Sequence, residues 1–146
     1  MFIPTDFMKN DEIHLVLEKT VEGNDIRGWV PAYHFAICNN SGTKMGVCDL
    51  RIGHNTNTYY GGNIGYEIYN EYRGNHYAGK ACFLLFELAK KHGMKYLIIT
   101  CDPDNHASRK TCEYAGGELL EIAELPEDND MRRIGDKEKC IFRFNL

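Results

Sequence analysis

The sequence predicts an α+β fold: one mixed sheet, largely antiparallel, with a parallel strand–helix–strand unit at its centre. Three observations carry this. The first half alternates short apolar runs with turn-rich polar stretches, as an antiparallel meander does. The middle holds a long amphipathic stretch and then the almost wholly apolar run KYLIITCD (95–102), the pattern of a helix feeding a strand covered on both faces. The last third returns to strand-like runs around a charged loop.

In chain order, Ile13, Leu15 and Leu17 alternate with His14, Val16 and Glu18, which reads as a strand. Residues 19 to 32 are polar and broken by Gly23, Gly28 and Pro31, so a loop is expected. YHFAIC (33–38) and MGVCDLRIG (45–53) flank the turn NNSGTK and form a hairpin signal. A second polar loop, HNTNTYYGGN, leads to IGYEIY (64–69). Residues 77 to 92 carry small and apolar residues at 78, 81, 82, 85, 88 and 89, one stripe of a helix that Gly93 ends. Strand, helix and strand of this length predict a parallel pair with a right-handed crossover. NHASRKTCEYAGG (105–117) is a second helix, capped by Asn105 and stopped by Gly116-Gly117. ELLEIAEL (118–125) and KCIFRFNL (139–146) are strands, with the solvated loop PEDNDMRRIGDKE between them.

With 146 residues, 43% of them hydrophobic, the chain is expected to form one domain over 1–146. A net charge of −4, with no run of Lys/Arg longer than two, argues against a nucleic-acid partner. Cys38, Cys48, Cys82, Cys101, Cys112 and Cys140 form no CxxC pair, which points to reduced, buried thiols in a cytoplasmic protein. The N-terminal stretch lacks the basic and apolar regions of a signal peptide, and no run approaches the length of a membrane span. His14, His34, His54 and His106 are scattered without ligand spacing, so no metal is expected.

The chemistry concentrates in YRGNHYAGKACFLLFELAKKHG (72–93). A loop of small residues with one Arg runs into a helix, offering backbone N–H groups and the positive helix end to an anion. Residues 74 to 81 miss the phosphate-binding pattern GxxxxGK[ST] by one position, because Ala81 supplies no hydroxyl for Mg²⁺. A nucleotide-binding enzyme of that type also opens a parallel sheet, whereas this loop follows a meander.

Arg73-Gly74-Asn75-His76-Tyr77-Ala78 resembles the [RQ]-x-x-G-x-[GA] segment of the GNAT superfamily of N-acetyltransferases, and Asn105-His-Ala-Ser108 with Gly116 resembles that family's N-x-x-[SA]…G segment. The resemblance covers residues 44 to 125. It implies a three-layer α/β/α fold with splayed fourth and fifth strands, and acetyl-CoA as acetyl donor. It also implies that the amides of residues 73 to 79, Gly79 included, hold the pyrophosphate. Asn105 and Ser108 then meet the pantetheine arm, and the backbone around Tyr66, Glu67 and Ile68 meets the acetyl carbonyl. Glu67, a lone acid in an apolar strand, is the candidate general base on the premise that partial burial raises its pKa. The activity implied is transfer of an acetyl group to a primary amine of a small molecule or peptide by direct attack in a ternary complex. A non-catalytic CoA-binding sensor is the alternative.

Three positions depart from the family pattern. His76 replaces the middle Gly, which is tolerated if its backbone is helical. Cys112 stands where the family often has a Tyr acid; it is a candidate proton donor for the leaving thiolate, but a small core hydrophobe is the preferred reading, with water or the amine's own proton then serving as acid. Tyr114 is no substitute, since two helical steps turn it about 200° around the axis. The segment 19–32 is shorter than the two helices the family usually places there, which leaves an acceptor-pocket wall under-covered and points to a homodimer. Tyr59-Tyr60-Gly61-Gly62 reads as an acceptor-pocket lining or as an aromatic turn on the sheet rim, and the acidic run 126–130 suits a cationic acceptor.

Overall fold

A computed structural model describes residues 2–146. Strands β1 (Ile13–Val21), β2 (Ala32–Asn39), β3 (Lys44–Arg51) and β4 (Ile64–Ile68) form an antiparallel sheet in that order. Strands β5 (Tyr96–Cys101), β6 (Glu118–Glu124) and β7 (Glu138–Asn145) form a second antiparallel sheet, ordered β5-β7-β6. Helices α2 (Tyr77–Lys91) and α3 (His106–Tyr114) cover one side. There Leu85, Leu88 and Ala89 of α2 and Cys112 of α3 join Phe35, Leu50, Leu97 and Phe142 in the main core. The short α1 (Thr56–Gly61) packs on the opposite side, where Tyr59 and Tyr60 cover Ile98, Ala123 and Ile141. The result is the three-layer α/β/α arrangement.

The parallel ladder expected between 64–69 and 95–102 is not formed; β4 and β5 are edge strands of separate sheets. The physical reason lies in Asn63, which is fully buried just before β4. Its N–H donates to the Ile98 carbonyl at 2.6 Å, and its Oδ1 accepts from the Ile98 N–H at 2.9 Å. Its Nδ2 donates to the Arg51 and Gly53 carbonyls. One residue thus mimics a strand partner for β5 while remaining bound to β3. Beyond it the two strands part, as the resemblance implied, and the gap opens towards α3.

Other boundaries moved for local reasons. β1 runs on to Val21 because a register shift between Leu17 and Lys19 lets residues 19 to 21 pair with 32 to 34. The stretch expected as a loop before β4 contains α1, whose N-terminus Asn55 and Thr58 close with a reciprocal capping box. The loop after β6 likewise holds a single turn, α4 (Asp130–Arg133), started by Asn129. Gly93 sits at φ 79°, the left-handed stop expected for α2.

Candidate functional site

The site begins where β4 ends. A 3-10 turn at Asn70–Tyr72 carries the chain to Arg73 and Gly74, and α2 begins at Tyr77. Arg73 Nε donates to the Ile68 carbonyl at 2.8 Å, bracing the loop against the end of β4. Gly74 takes φ 88°, which favours a residue without a Cβ. His76 takes φ 61° and ψ 22°, so its backbone is left-handed and not helical as the sequence reading required. The compensation is a stack: its imidazole lies on the Tyr114 ring with centroids 4.3 Å apart and planes 10° from parallel. The first turn of α2 carries no acidic side chain, so its exposed N–H groups remain suited to an anion.

The loop forms one end of a cleft of about 490 Å³. Tyr66, Glu67 and Ile68 line it from β4; Arg73, Gly74, His76, Tyr77 and Ala78 line it from the loop and the start of α2. Asn105 and Ser108 line it from α3. Asn75 lies just outside, its amide donating to the Tyr72 carbonyl at 3.1 Å. Gly79 is buried beneath Tyr114, where a Cβ would run into the ring, so its smallness serves helix packing. Asn105 caps α3 by accepting from the Ser108 N–H at 3.1 Å, which leaves its NH₂ end to meet a ligand. Tyr72, Lys110 and Thr111 also line the cleft and were not singled out from sequence. Lys110 and Thr111 follow Ser108 on the first turns of α3, so the Asn-x-x-Ser pattern extended along the helix was the signal for them.

At the deep end, the Tyr66 hydroxyl lies 2.6 Å from Ser108 Oγ, bridging the gap between β4 and α3. Burial, with the neighbouring Cys112, pushes the Tyr66 phenol well up, so it stays protonated and available as a donor. Cys112 is fully buried, and desolvation, with Cys101 adding to it, pushes its thiol up to about 12. Such a thiol is a weak acid beside a CoA thiol near 8.5, so Cys112 fits the small-hydrophobe reading better than the donor reading. Glu67 is exposed, so the burial on which its general-base reading depended is absent. Lys80, the lysine of the near-miss phosphate pattern, is turned aside to Glu12 at 2.5 Å.

On the other side of β4 the sheet carries a second cavity of about 340 Å³, lined by His34 and Asp49 among others, and Tyr66 borders both cavities. No group of three or more metal-ligating side chains occurs among the described residues. No helix among them is long and apolar enough to cross a membrane.

A family model described as an acetyltransferase (GNAT) domain matches residues 5–118. A comparison with curated proteins found no match. Among solved structures, the fold is similar to the microcin C7 self-immunity acetyltransferase MccE, determined with acetyl-CoA and AMP (23% identity, 79% of this chain and 61% of that one, TM-score 0.62). It is also similar to a ribosomal-protein-S5-alanine acetyltransferase from Vibrio fischeri (17% identity, 78% and 61%, TM-score 0.61). A third likeness is to RimL, a ribosomal L7/L12 α-N-protein acetyltransferase, in complex with coenzyme A (19% identity, 83% and 64%, TM-score 0.61). The chain thus spans less than two thirds of the length of each of these, and at such identities the likeness establishes the fold. With the family model covering most of the sequence, the chain belongs to the GNAT acetyltransferase family.

Proposed function

We propose that the protein, acting as a single domain, transfers an acetyl group from acetyl-CoA to a primary amine of a small molecule or peptide by direct attack in a ternary complex. The observation that carries this reading is the continuity of the cleft. It starts at the N–H groups that open α2, passes Asn105, and ends at the Tyr66–Ser108 hydroxyl pair where the strands part. A long donor with a diphosphate at one end and a thioester at the other fits that sequence of polar groups. The solved relatives that hold acetyl-CoA or CoA support the choice of donor. Two of the similar structures are named as acetyltransferases of ribosomal proteins, which supports a peptide amine as one acceptor class.

The residues then take these parts. The loop from Arg73 to Ala78 anchors the diphosphate through main-chain N–H groups. Backbone at Tyr66 to Ile68 polarises the acetyl carbonyl. The Tyr66 and Ser108 hydroxyls stand where the thiolate leaves and donate to it. Glu67, exposed at the cleft rim, attracts the ammonium form of the acceptor.

Calorimetric titration with acetyl-CoA, paired with free-thiol release against polyamines, amino acids, aminoglycosides and short peptides, tests the reading. Binding and thiol release with at least one amine are expected, and Ala78→Asp, which places a carboxylate at the anion site, lowers acetyl-CoA affinity at least tenfold. An absence of binding heat removes the proposal. The burial of Cys112 at the position of the usual acid favours a second reading, a CoA-binding sensor. Binding without thiol release from any amine would select it.

A further inference from the structure

The second cavity lies on the sheet face opposite α2, in a row of facing positions: His34 on β2 pairs with Asp49 on β3, and Asp49 pairs with Gly65 on β4. Gly65 has no side chain, and the Asp49 carboxylate takes the space over it, beside Tyr66, the residue shared with the donor cleft. Asp49 is held from two sides. Its Oδ1 accepts the Gly65 N–H at 2.9 Å, and its Oδ2 lies 3.3 Å from Arg51 Nη2, while Arg51 Nη1 donates to the Gly62 carbonyl. The same Oδ2 stands 3.9 Å from His34 Nδ1, an ion-pair distance once the ring is protonated. His34 is 34% and Asp49 18% exposed, so the ring faces the cavity and the carboxylate sits behind it.

We infer that this cavity is the acceptor pocket, and that His34, backed by Asp49, takes the proton from the acceptor's ammonium group. The inference rests on the acetyltransferase reading above. In the step, R–NH₃⁺ passes one proton to His34 Nε2, and the freed lone pair attacks the thioester carbonyl carbon. The C–N bond forms and the C–S bond breaks, its electron pair leaving on sulfur. A second proton from nitrogen ends on the thiolate, and the imidazolium returns its proton to solvent. A histidine suits the task because an imidazole nitrogen can take a proton from an ammonium group and pass it on to solvent. The other charged groups on this face are Glu18 and Lys19 of β1, Arg51 of β3 and Glu67 of β4. Glu18 is paired with Lys44 at 2.9 Å, Arg51 is tied to Asp49, Lys19 repels an ammonium group, and Glu67 lies one row further along β4.

The test is the pH profile of kcat/KM for the amine that the wild-type protein acetylates fastest, with acetyl-CoA binding measured in parallel. The wild type is expected to show an ascending limb. His34→Asn should abolish that limb, lower kcat/KM at neutral pH at least tenfold, leave acetyl-CoA affinity unchanged, and recover as pH rises towards the amine's own ionisation. Asp49→Asn, which keeps an acceptor for the Gly65 N–H, should lower kcat/KM while leaving acetyl-CoA affinity unchanged. A folded His34→Asn protein that retains the limb, or loss of the limb in Glu67→Gln alone, overturns the inference while leaving the parent reading in place. A wild type that binds no acetyl-CoA, or releases thiol with no amine, overturns both.

Discussion

His92 closes α2 with its ring against the Tyr33 hydroxyl, Nε2 to Oη 2.5 Å, and the same hydroxyl receives the Ile3 N–H. Burial holds this imidazole below its usual 6.5. The unfolded chain therefore binds a proton that the folded one resists, so the stability contributed by neutral His92 is present above that value and lost as pH falls through the folded pKa. The wild-type urea midpoint should drop between about pH 7.5 and 5.5, and His92→Gln should lose part of that dependence. Equal slopes would contradict the assignment. At this scale the sequence was legible where chemistry repeats locally. The Asn105 cap and the Gly93 stop follow from side-chain reach and from left-handed geometry. His76 was not legible, because its positive φ is sustained by stacking on Tyr114, thirty-eight residues later in the chain. Nor was the Asp49–Gly65 bond, a cross-strand contact that no local spacing announces.

Among elements, the seam between the two sheets governs the site. Asn63 satisfies Ile98 on one side and the Arg51 and Gly53 carbonyls on the other, all from a buried position. Asn63→Ala leaves the Ile98 N–H and two carbonyls without those partners, each at about 1–3 kcal/mol. A loss of roughly 3 kcal/mol or more in denaturant melts is expected, with faster amide exchange at Ile98. Unchanged exchange there would show that the seam is held by something else. The helix α2 and the strands β2, β5 and β7 were readable because their apolar residues meet burial, whereas Leu119, Leu120 and Ile122 of β6 are apolar yet exposed. The helix α1 was not, because a segment rich in Asn, Thr and Gly has the composition of a loop. Its capping box at Asn55 and Thr58 was the only local mark. The missing parallel ladder follows from tertiary competition by one asparagine, which composition cannot express.

For the whole molecule, the short connection between β1 and β2 leaves a surface with little cover. Ile26 is 99% exposed, and half-exposed Trp29 has the Arg27 guanidinium 5.0 Å above its ring. We expect this segment to meet a second copy. Sedimentation at micromolar concentration should give twice the chain mass, and Trp29→Glu should return it to the monomer. A monomer in the wild type removes the expectation. The edges that face each other across the gap have a further chemical meaning. Beyond Asn63, β4 and β5 present main-chain donors and acceptors to one another without a ladder to use them. An occupant made only of methylenes would strand those groups in a dry slot. Selection there should therefore favour an arm that carries its own peptide-like linkages, and a donor of equal length stripped of its amides should bind poorly even with its diphosphate intact.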